Sequence, residues 1–280
     1  MQTDDFSFYQ KLLIERSGLA LNPEKTYLLE TRLTPVAQSL GYATLSDMTT
    51  DVRRRNDPAI LNAIIEAMTT NETSFFRDNK PFAHLKDVIL PHVCQTKKDK
   101  TIRIWSAACS TGQEPYSIAM TISEFLAQNP GWKVEIVATD ISQDVLKRAQ
   151  QGEYNQFEIQ RGLPIQMMIK YFSQVGTNWK VKDTLRNMIS FKTLNLVDPI
   201  YNINGPFDII FCRNVLIYFN QQGKAQALAK MTRHMTSDGV LMLGSCETVM
   251  GLPLDLQSFA GLHGIYSLGK KGEAAIAKHA

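Results

Sequence analysis

The run Ile104–Ser117, IWSAACSTGQEPYS, has residues suited to holding a ligand against the backbone. It passes from a β-rich stretch into a turn of small residues and then into a helical pattern. Small residues let the backbone approach a ligand closely, and the start of the next helix offers free N–H groups. Only Gly112 is present, so the dinucleotide pattern GxGxxG is absent. An ordinary strand–helix turn would fit this run equally well.

A carboxylate, Asp140, ends the next apolar run, VEIVATD. It lies somewhat further from Gly112 than the roughly 20 residues typical of an acidic ribose ligand. Such a carboxylate can accept hydrogen bonds from both ribose hydroxyls. It could instead cap a helix that starts at Ser142. Taken together, the turn and Asp140 indicate a nucleoside-type ligand at the carboxyl edge of a sheet.

Two further segments carry polar residues beside aromatic ones. Phe207–Phe219, FDIIFCRNVLIYF, reads as a buried strand that ends at Arg213 and Asn214, where polar groups suit a ligand better than a core. For Tyr218 and Phe219, core packing and function remain equally open. Thr69–Arg77, TTNETSFFR, surrounds Phe75–Phe76 with Asn, Thr and Arg at the end of an apolar helix.

Alternating patterns predict the elements that position these residues. Residues 5–92 are predicted to be helical throughout, with Pro35 ending or kinking one helix and Asp57–Pro58 starting another. After the polar linker Gln95–Lys100, strands alternate with helices, which predicts a mostly parallel sheet covered on both faces. The predicted strands are Ile102–Ser106, Val134–Thr139, Ile189–Leu194, Phe207–Cys212, Val240–Leu243 and Ile265–Leu268. Residues 155–188 interrupt the alternation and predict an insertion with a small sheet.

Composition excludes several classes of protein. The 280 residues are 44% hydrophobic and 20% charged, which is ordinary for a folded protein. A net charge of +3 does not mark a nucleic-acid binder, and we expect no nucleic-acid partner. No apolar run reaches the roughly 20 residues of a membrane helix, so no direct membrane insertion is expected. The four cysteines form no CxxC pair, which favours free thiols in the cytoplasm and no metal site.

The segments TTNETSFFR, SAACSTGQEPYS, ATDIS and FCRNVLIYF, in this order, resemble the CheR family of chemotaxis receptor glutamate methyltransferases. The resemblance covers residues 5–268. It implies an α/β fold with a Rossmann-like S-adenosylmethionine-dependent methyltransferase domain, a small inserted β-subdomain and a preceding all-α domain. The expected divisions are 1–77 for the helical receptor-docking domain, 78–100 for a linker helix and polar linker, 101–270 for the methyltransferase domain with its insertion at about 173–188, and 271–280 for a disordered tail.

The resemblance also implies roles for individual residues. It implies catalytic positions for Arg77 and Tyr218, and S-adenosylmethionine as the cofactor, with S-adenosylhomocysteine as product. The residues implied to bind this cofactor are Asn71, Thr73, Arg77, Glu114, Asp140, Asn195, Leu196, Arg213 and Asn214, with Asn195 and Leu196 beside the adenine.

The implied partner is the cytoplasmic helical domain of chemoreceptors, whose methylated helices are rich in glutamate. A basic docking face is then expected, and the candidates are Lys25, Arg32, Arg53, Arg54 and Arg55. A solvated charge run explains Arg53–Arg55 nearly as well. Family members that tether to a receptor's C-terminal pentapeptide tend to have a glycine-rich loop in the β-subdomain. Here Phe172–Lys182 has the single Gly176, so we expect no dependence on the pentapeptide.

Two other functions stay open at this stage. A methyltransferase acting on another protein or a small molecule would have the same nucleotide-binding half, although it would have no need of TTNETSFFR and the helical domain. A non-catalytic CheR-like module that senses the cofactor or scaffolds a partner is the second alternative. The intact Arg77, Glu114, Asp140, Arg213, Asn214 and Tyr218 argue against it.

Overall fold

The computed structural model describes residues 3–259 and 262–269, so the tail predicted at 271–280 lies outside the described residues. The chain begins with four helices: α1 (Thr3–Ser17), α2 (Thr26–Ser39), α3 (Leu45–Arg55) and α4 (Pro58–Met68). Asp57 accepts a hydrogen bond from the Ala59 N–H and Pro58 opens α4, which confirms the predicted start. None of the described helices is long and apolar enough to span a membrane.

Helix α2 does not end at Pro35, so that alternative of the prediction is wrong. Pro35 lies on the exposed side of the helix, where the carbonyl it leaves unpaired can be hydrated. Leu29, Leu33 and Ala37 are buried at four-residue spacing on the opposite side and hold the helix against its neighbours.

Residues 69–79 are not helical: the apolar helix predicted to precede Thr69 ends at Met68, and the chain then crosses to the second half of the molecule. The Arg32 guanidinium donates to the carbonyl oxygens of Met68 (2.8 Å) and Thr69 (3.2 Å), so it satisfies backbone groups that the end of α4 exposes. Helix then resumes as α5 (Lys80–His84), a π-helical turn (Leu85–Ile89) and α6 (Leu90–Thr96).

Strands and helices alternate after this point. The strands are β1 (Thr101–Ala107), β2 (Lys133–Asp140), β3 (Glu153–Tyr154), β4 (Phe172–Val175), β5 (Asn178–Val181), β6 (Ile189–Thr193), β7 (Phe207–Cys212), β8 (Met235–Leu243), β9 (Leu256–Ser258) and β10 (Ile265–Leu268). The helices are α7 (Gln113–Gln128), α8 (Gln143–Gln151), α9 (Gln156–Gln160), α10 (Ile165–Tyr171), α11 (Asp183–Arg186) and α12 (Gln221–Thr232). The six predicted strands are all present, whereas β9 was not predicted.

The main sheet has the order β6-β2-β1-β7-β8-β10-β9. The first five strands are parallel, and β10 and β9 add an antiparallel edge. The chain moves outward from β1 to β2 on one side and returns to place β7 on the other. The carboxyl ends of β1, β2 and β7 therefore meet at the point where the strand order reverses, which is where open parallel sheets bind ligands.

Alternate residues of the central strands face opposite sides of the sheet. Ile102 and Ile104 pack in one apolar core, while Trp105 and Ala107 pack in the other. Every residue of β7 is buried, as expected for a central strand covered on both faces. The sheet thus forms a rigid support for the loops at its carboxyl edge.

The insertion contains a second sheet of order β3-β5-β4 together with α9 and α10. Phe75 joins this insertion to the crossing segment, since its ring meets those of Tyr154 (4.9 Å) and Phe172 (5.6 Å) edge to face. Gly162 comes so close that a Cβ atom there would lie 2.1 Å from the Phe75 carbonyl oxygen. The insertion therefore fixes the position of the segment that carries Asn71 and Arg77.

We expect Gly162→Ala to destabilise the protein much more than Gly176→Ala. Both glycines have positive φ, +92° and +59°, but a Cβ at Gly176 meets nothing within 4 Å. The clash at Gly162 is with backbone, so no side-chain rotation relieves it, and overpacking of this kind costs about 1–3 kcal/mol. Calorimetric melting should show Tm lower in Gly162→Ala than in Gly176→Ala by at least about 2 °C. Equal melting temperatures would contradict the close approach.

Candidate functional site

A cleft with about 870 Å³ of empty space opens at the carboxyl ends of β1, β2 and β7. Parts of the chain far apart in sequence line it: the end of α1, the crossing segment 69–79, and the loops after these three strands. Eight of the residues singled out from the sequence lie along this cleft: Asn71, Thr73, Arg77, Glu114, Asp140, Arg213, Asn214 and Tyr218.

Asp140 stabilises the conformation of the turn after β1. Ala108 and Ser110 have positive φ, 57° and 50°, which side-chain-bearing residues rarely adopt. The Asp140 carboxylate accepts from the backbone N–H groups of Ser110 (2.8 Å) and Ser142 (3.0 Å). Burial raises the pKa of Asp140, and these N–H groups oppose the rise. Asp140 therefore shapes the turn and also presents a carboxylate to the cleft. The side chain of Ser142 itself, and not Asp140, caps α8.

Arg213 forms the charged centre of the site. Its side chain is 1% exposed, and its terminal nitrogens pair with Glu114 Oε2 (3.0 Å) and Asp78 Oδ2 (2.7 Å). One of them also donates to the Arg77 carbonyl oxygen (2.9 Å). Burial raises the pKa of Glu114, and the charge of Arg213 opposes the rise. Arg213 thus ties the end of β7 to the first turn of α7 and to the crossing segment.

The crossing segment is fastened to the sheet by its backbone. The Ser110 hydroxyl donates to the Asn71 carbonyl oxygen (2.8 Å), and the Phe76 N–H donates to the Ser117 hydroxyl (3.0 Å). The Arg77 guanidinium donates to the Glu72 carbonyl oxygen (3.0 Å). Asn71 and Thr73 line the cleft, and the Asn71 amide donates to the Thr69 hydroxyl (3.3 Å).

The helical domain supplies a wall of the cleft through Ser17 and Leu19. The Ala20 N–H donates to the Tyr218 carbonyl oxygen (2.8 Å). Gly18 lies against the Phe219 ring, where a Cβ atom would come within 2.6 Å. Tyr218 is therefore positioned from two directions, by the loop after β7 and by the end of α1.

Asn195 and Leu196 are not among the residues that line the cleft. The Asn195 amide donates to the Arg16 carbonyl oxygen (2.6 Å), which joins the loop after β6 to the end of α1. The Leu196 side chain is buried in the core on one face of the sheet. Both residues follow β6, and Asn195 is half-buried.

Most of the basic residues considered for docking already have partners within the chain. Arg32 binds the carbonyls at the end of α4. Arg53 pairs with Asp4 (2.9 Å) and Asp5 (3.3 Å), and both Arg54 and Arg55 pair with Asp51. Lys25 is exposed at the start of α2. The apparent basic run is thus largely neutralised by nearby carboxylates.

Sequence reasoning missed several contributors to the site, among them Ser17, Leu19, Asp78 and Glu247. Leu19 follows a helix end and carried no sign of contact with a ligand cavity. Glu247 follows strand β8, so the argument that selected Asp140 and Arg213 from the ends of strands applies to it equally. Glu247 is 5% exposed, and its carboxylate binds the loop after β7.

The cleft is lined by the carboxyl groups of Asp140 and Glu114, the guanidinium groups of Arg77 and Arg213 and the phenol of Tyr218. Ala108, Ser110 and Asn214 beside them have positive φ. Carboxylates stabilise cations and accept from hydroxyls, and Arg binds carboxylates through its planar fork. Such a set suits a ligand that carries a cation, a diol and a carboxylate together.

Comparison with known proteins agrees with this description. The model of the CheR methyltransferase all-alpha domain matches residues 4–69, and that of the CheR methyltransferase SAM binding domain matches residues 71–264. A chemotaxis protein methyltransferase of Vibrio parahaemolyticus is 41% identical over 251 residues, 89% of this chain and 90% of the relative. Chemotaxis protein methyltransferase Cher2 of Pseudomonas putida is 38% identical, with 89% and 92% covered, and the Escherichia coli chemotaxis protein methyltransferase is 35% identical, with 86% and 83% covered. The chain therefore belongs to the CheR methyltransferase family and is an S-adenosylmethionine-dependent methyltransferase.

Proposed function

We propose that the protein transfers the methyl group of S-adenosylmethionine to glutamate γ-carboxylates of chemoreceptors in the cytoplasm, forming methyl esters in chemosensory adaptation. The observation that carries this function is that Arg77 and Tyr218 line the same cleft as the carboxyl groups of Glu114 and Asp140, and that the helical domain walls this cleft. The four cysteines are free in the structure, as a reducing compartment favours.

The side chains of the cleft match the groups of the cofactor. Asp140 accepts from the ribose hydroxyls, and Glu114 balances the ammonium group. Asn71, Thr73 and Asn214 supply polar contacts. Arg213 contributes indirectly, because its ion pair holds Glu114 in position. A cation beside Glu114 or Asp140 stabilises the ionised carboxylate and so opposes the rise in pKa that burial causes. Asn195 and Leu196 do not line the cleft.

The residues of the chain have to orient the substrate rather than remove a proton. Bound S-adenosylmethionine supplies an electrophilic methyl carbon on a sulfonium sulfur. A glutamate is ionised near neutral pH because its usual pKa is about 4.3, so no general base is required. Arg77 holds the carboxylate of the substrate or that of the cofactor. The Tyr218 hydroxyl donates one hydrogen bond that orients the attacking carboxylate oxygen. Alignment of this kind contributes roughly 7–11 kcal/mol in favourable cases.

Transfer of a labelled methyl group tests the activity directly. The protein is incubated with methyl-labelled S-adenosylmethionine and membranes that contain receptors, and the labelled receptors are then treated with mild base. Label that is released by base identifies carboxyl methyl esters and supports the proposal. Base-stable label, label on small molecules, or cofactor binding without transfer would instead support one of the two alternative functions.

We expect Tyr218→Phe to lower kcat about tenfold and Arg77→Ala about a hundredfold, because each removes contacts that orient the substrate. Both variants should melt within a few degrees of the parent protein. Matched controls are Tyr42→Phe, whose hydroxyl binds Asp51 in the helical domain, and Arg103→Ala, which breaks an exposed pair with Glu135. Parental kcat in both test variants would remove them from the mechanism.

Docking of the receptor helices draws on Lys25 more than on Arg53–Arg55. Lys25 is exposed and follows closely on Ala20, whose N–H binds the Tyr218 carbonyl. Reversing Arg53–Arg55 to Glu would break the pairs with Asp4, Asp5 and Asp51, so a loss of activity there would report on stability as well.

Lys25→Glu should raise KM for receptor membranes several-fold at low salt and leave kcat unchanged, because repulsion between exposed charges acts mainly on encounter. The difference should shrink when the ionic strength reaches about 0.5 M, where charges are screened within a few ångströms. Lys133→Glu is the control, since Lys133 is exposed at the opposite end of the sheet. Identical KM values for both variants at every salt concentration would exclude Lys25 from docking.

The hairpin between β4 and β5 bears on tethering to a receptor tail. Val175 pairs with Asn178, so Gly176 and Thr177 alone form the turn. A turn of two residues leaves little loop with which to enclose a peptide. In isothermal titration calorimetry we expect a free receptor-tail pentapeptide to show no binding at micromolar concentration. A Kd in the low micromolar range would show that the protein uses the tether after all.

A further inference from the structure

A single buried carboxylate organises the loop that follows β7. Glu247 lies in the turn after β8 and is 5% exposed. Its two oxygens accept hydrogen bonds from five backbone N–H groups, those of Asn214 (2.8 Å), Val215 (3.0 Å), Leu216 (2.7 Å), Ile217 (3.3 Å) and Gly244 (2.7 Å). Four of these groups belong to consecutive residues of the loop that borders the cleft.

The loop needs this support because its conformation is strained. Asn214 has φ of 59°, in the left-handed region that costs a side-chain-bearing residue free energy. Residues Leu216–Tyr218 form one turn of 3-10 helix, whose first N–H groups have no partner within the turn. Glu247 accepts hydrogen bonds from these groups and from the Asn214 N–H. The same carboxylate therefore both stabilises the strained residue and caps the turn.

Capping by Glu247 leaves the side chain of Asn214 without a part in the turn. Val215, the N-cap residue, has no side chain that could accept from the first N–H groups, and Glu247 accepts from them instead. Here the Asn214 amide makes no hydrogen bond to any residue in 3–259 or 262–269, although it lines the cleft. Its donors and acceptor are therefore left for a ligand. Tyr218, at the other end of the same turn, is held by the same carboxylate through the backbone.

Gly244 makes room for this arrangement. A Cβ atom on Gly244 would lie 2.7 Å from Glu247 Oε2 and 3.0 Å from the Asn214 nitrogen. The position of the Glu247 carboxylate is thus determined by the close approach of two backbone segments, β8 and the loop after β7.

We propose that Glu247 is a positioning residue for methyl transfer: it holds Asn214 for the cofactor and Tyr218 for the substrate, although it touches neither ligand. This inference rests on the proposed function for Tyr218, whereas its part concerning Asn214 requires only that the cleft binds the cofactor.

Glu247→Gln tests the inference, since it keeps the length of the side chain and replaces one accepting oxygen with a donor. We expect Kd for S-adenosylhomocysteine to rise about tenfold and kcat to fall about tenfold, the effect of losing roughly one charged hydrogen bond. The matched control is Asp208→Asn. Asp208 is a buried carboxylate near the opposite end of the sheet that pairs with Lys97 and with the Arg103 N–H. It should lower Tm and leave Kd and kcat unchanged.

Double-mutant cycles separate positioning from general loosening. The Kd of Glu247→Gln/Asn214→Ala should be no weaker than that of Asn214→Ala alone within about twofold. The kcat of Glu247→Gln/Tyr218→Phe should likewise match that of Tyr218→Phe. Fully multiplicative effects in both cycles, or an unchanged Kd and kcat in Glu247→Gln, would overturn the inference. Should Glu247→Gln not fold, Gly244→Ala displaces the same carboxylate and enters the same cycles.

The binding cycle also separates this inference from the proposed function. If the parent protein binds S-adenosylhomocysteine but methylates no receptor, the proposed substrate fails. The Kd cycle with Asn214→Ala then still decides whether Glu247 positions the cofactor side of the cleft.

Discussion

The buried guanidinium of Arg213 joins three parts of the chain on which the site depends. It reaches Glu114 at the start of α7, and both Asp78 and the carbonyl of Arg77 in the crossing segment. Burying charges is costly, so such a network contributes little to net stability, but removing one partner leaves the others without compensation. Its value is geometric: it fixes how the crossing segment 69–79 meets the sheet.

A second regularity explains how the cleft keeps its shape. Ser110 and Asn214 follow neighbouring parallel strands, and both have left-handed backbone. In each case the strained N–H group donates to a carboxylate from the next strand outward, Asp140 for Ser110 and Glu247 for Asn214. Each carboxylate follows the strand next to the one whose loop it binds. The positions of these loops therefore depend on the parallel register of the neighbouring strands.

The helical domain has a structural part in the site besides any part in docking. Ser17 and Leu19 form a wall of the cleft, and the end of α1 contacts Tyr218 and Phe219 through backbone and ring. The tertiary structure also explains why the basic residues Arg32 and Arg53–Arg55 are poor guides to a docking face. Each is engaged by groups within its own domain, a contact that charge counting along the chain cannot reveal.

The sequence by itself determined the helical beginning, the six principal strands and the polar residues at their ends. Apolar periodicity and the ends of strands are local properties, and buried parallel strands carry them strongly. The family motifs alone predict that Asn71, Arg77, Asp140 and Tyr218 share one site, and all four line the cleft. Only the tertiary structure decided the continuation of α2 through Pro35, the path of the crossing segment 69–79, the hydrogen bond from Asn195 to Arg16 and the backbone groups that Glu247 binds. Each of these depends on which distant group meets a backbone N–H or carbonyl, and that pairing is created when the sheet and the helical domain pack together.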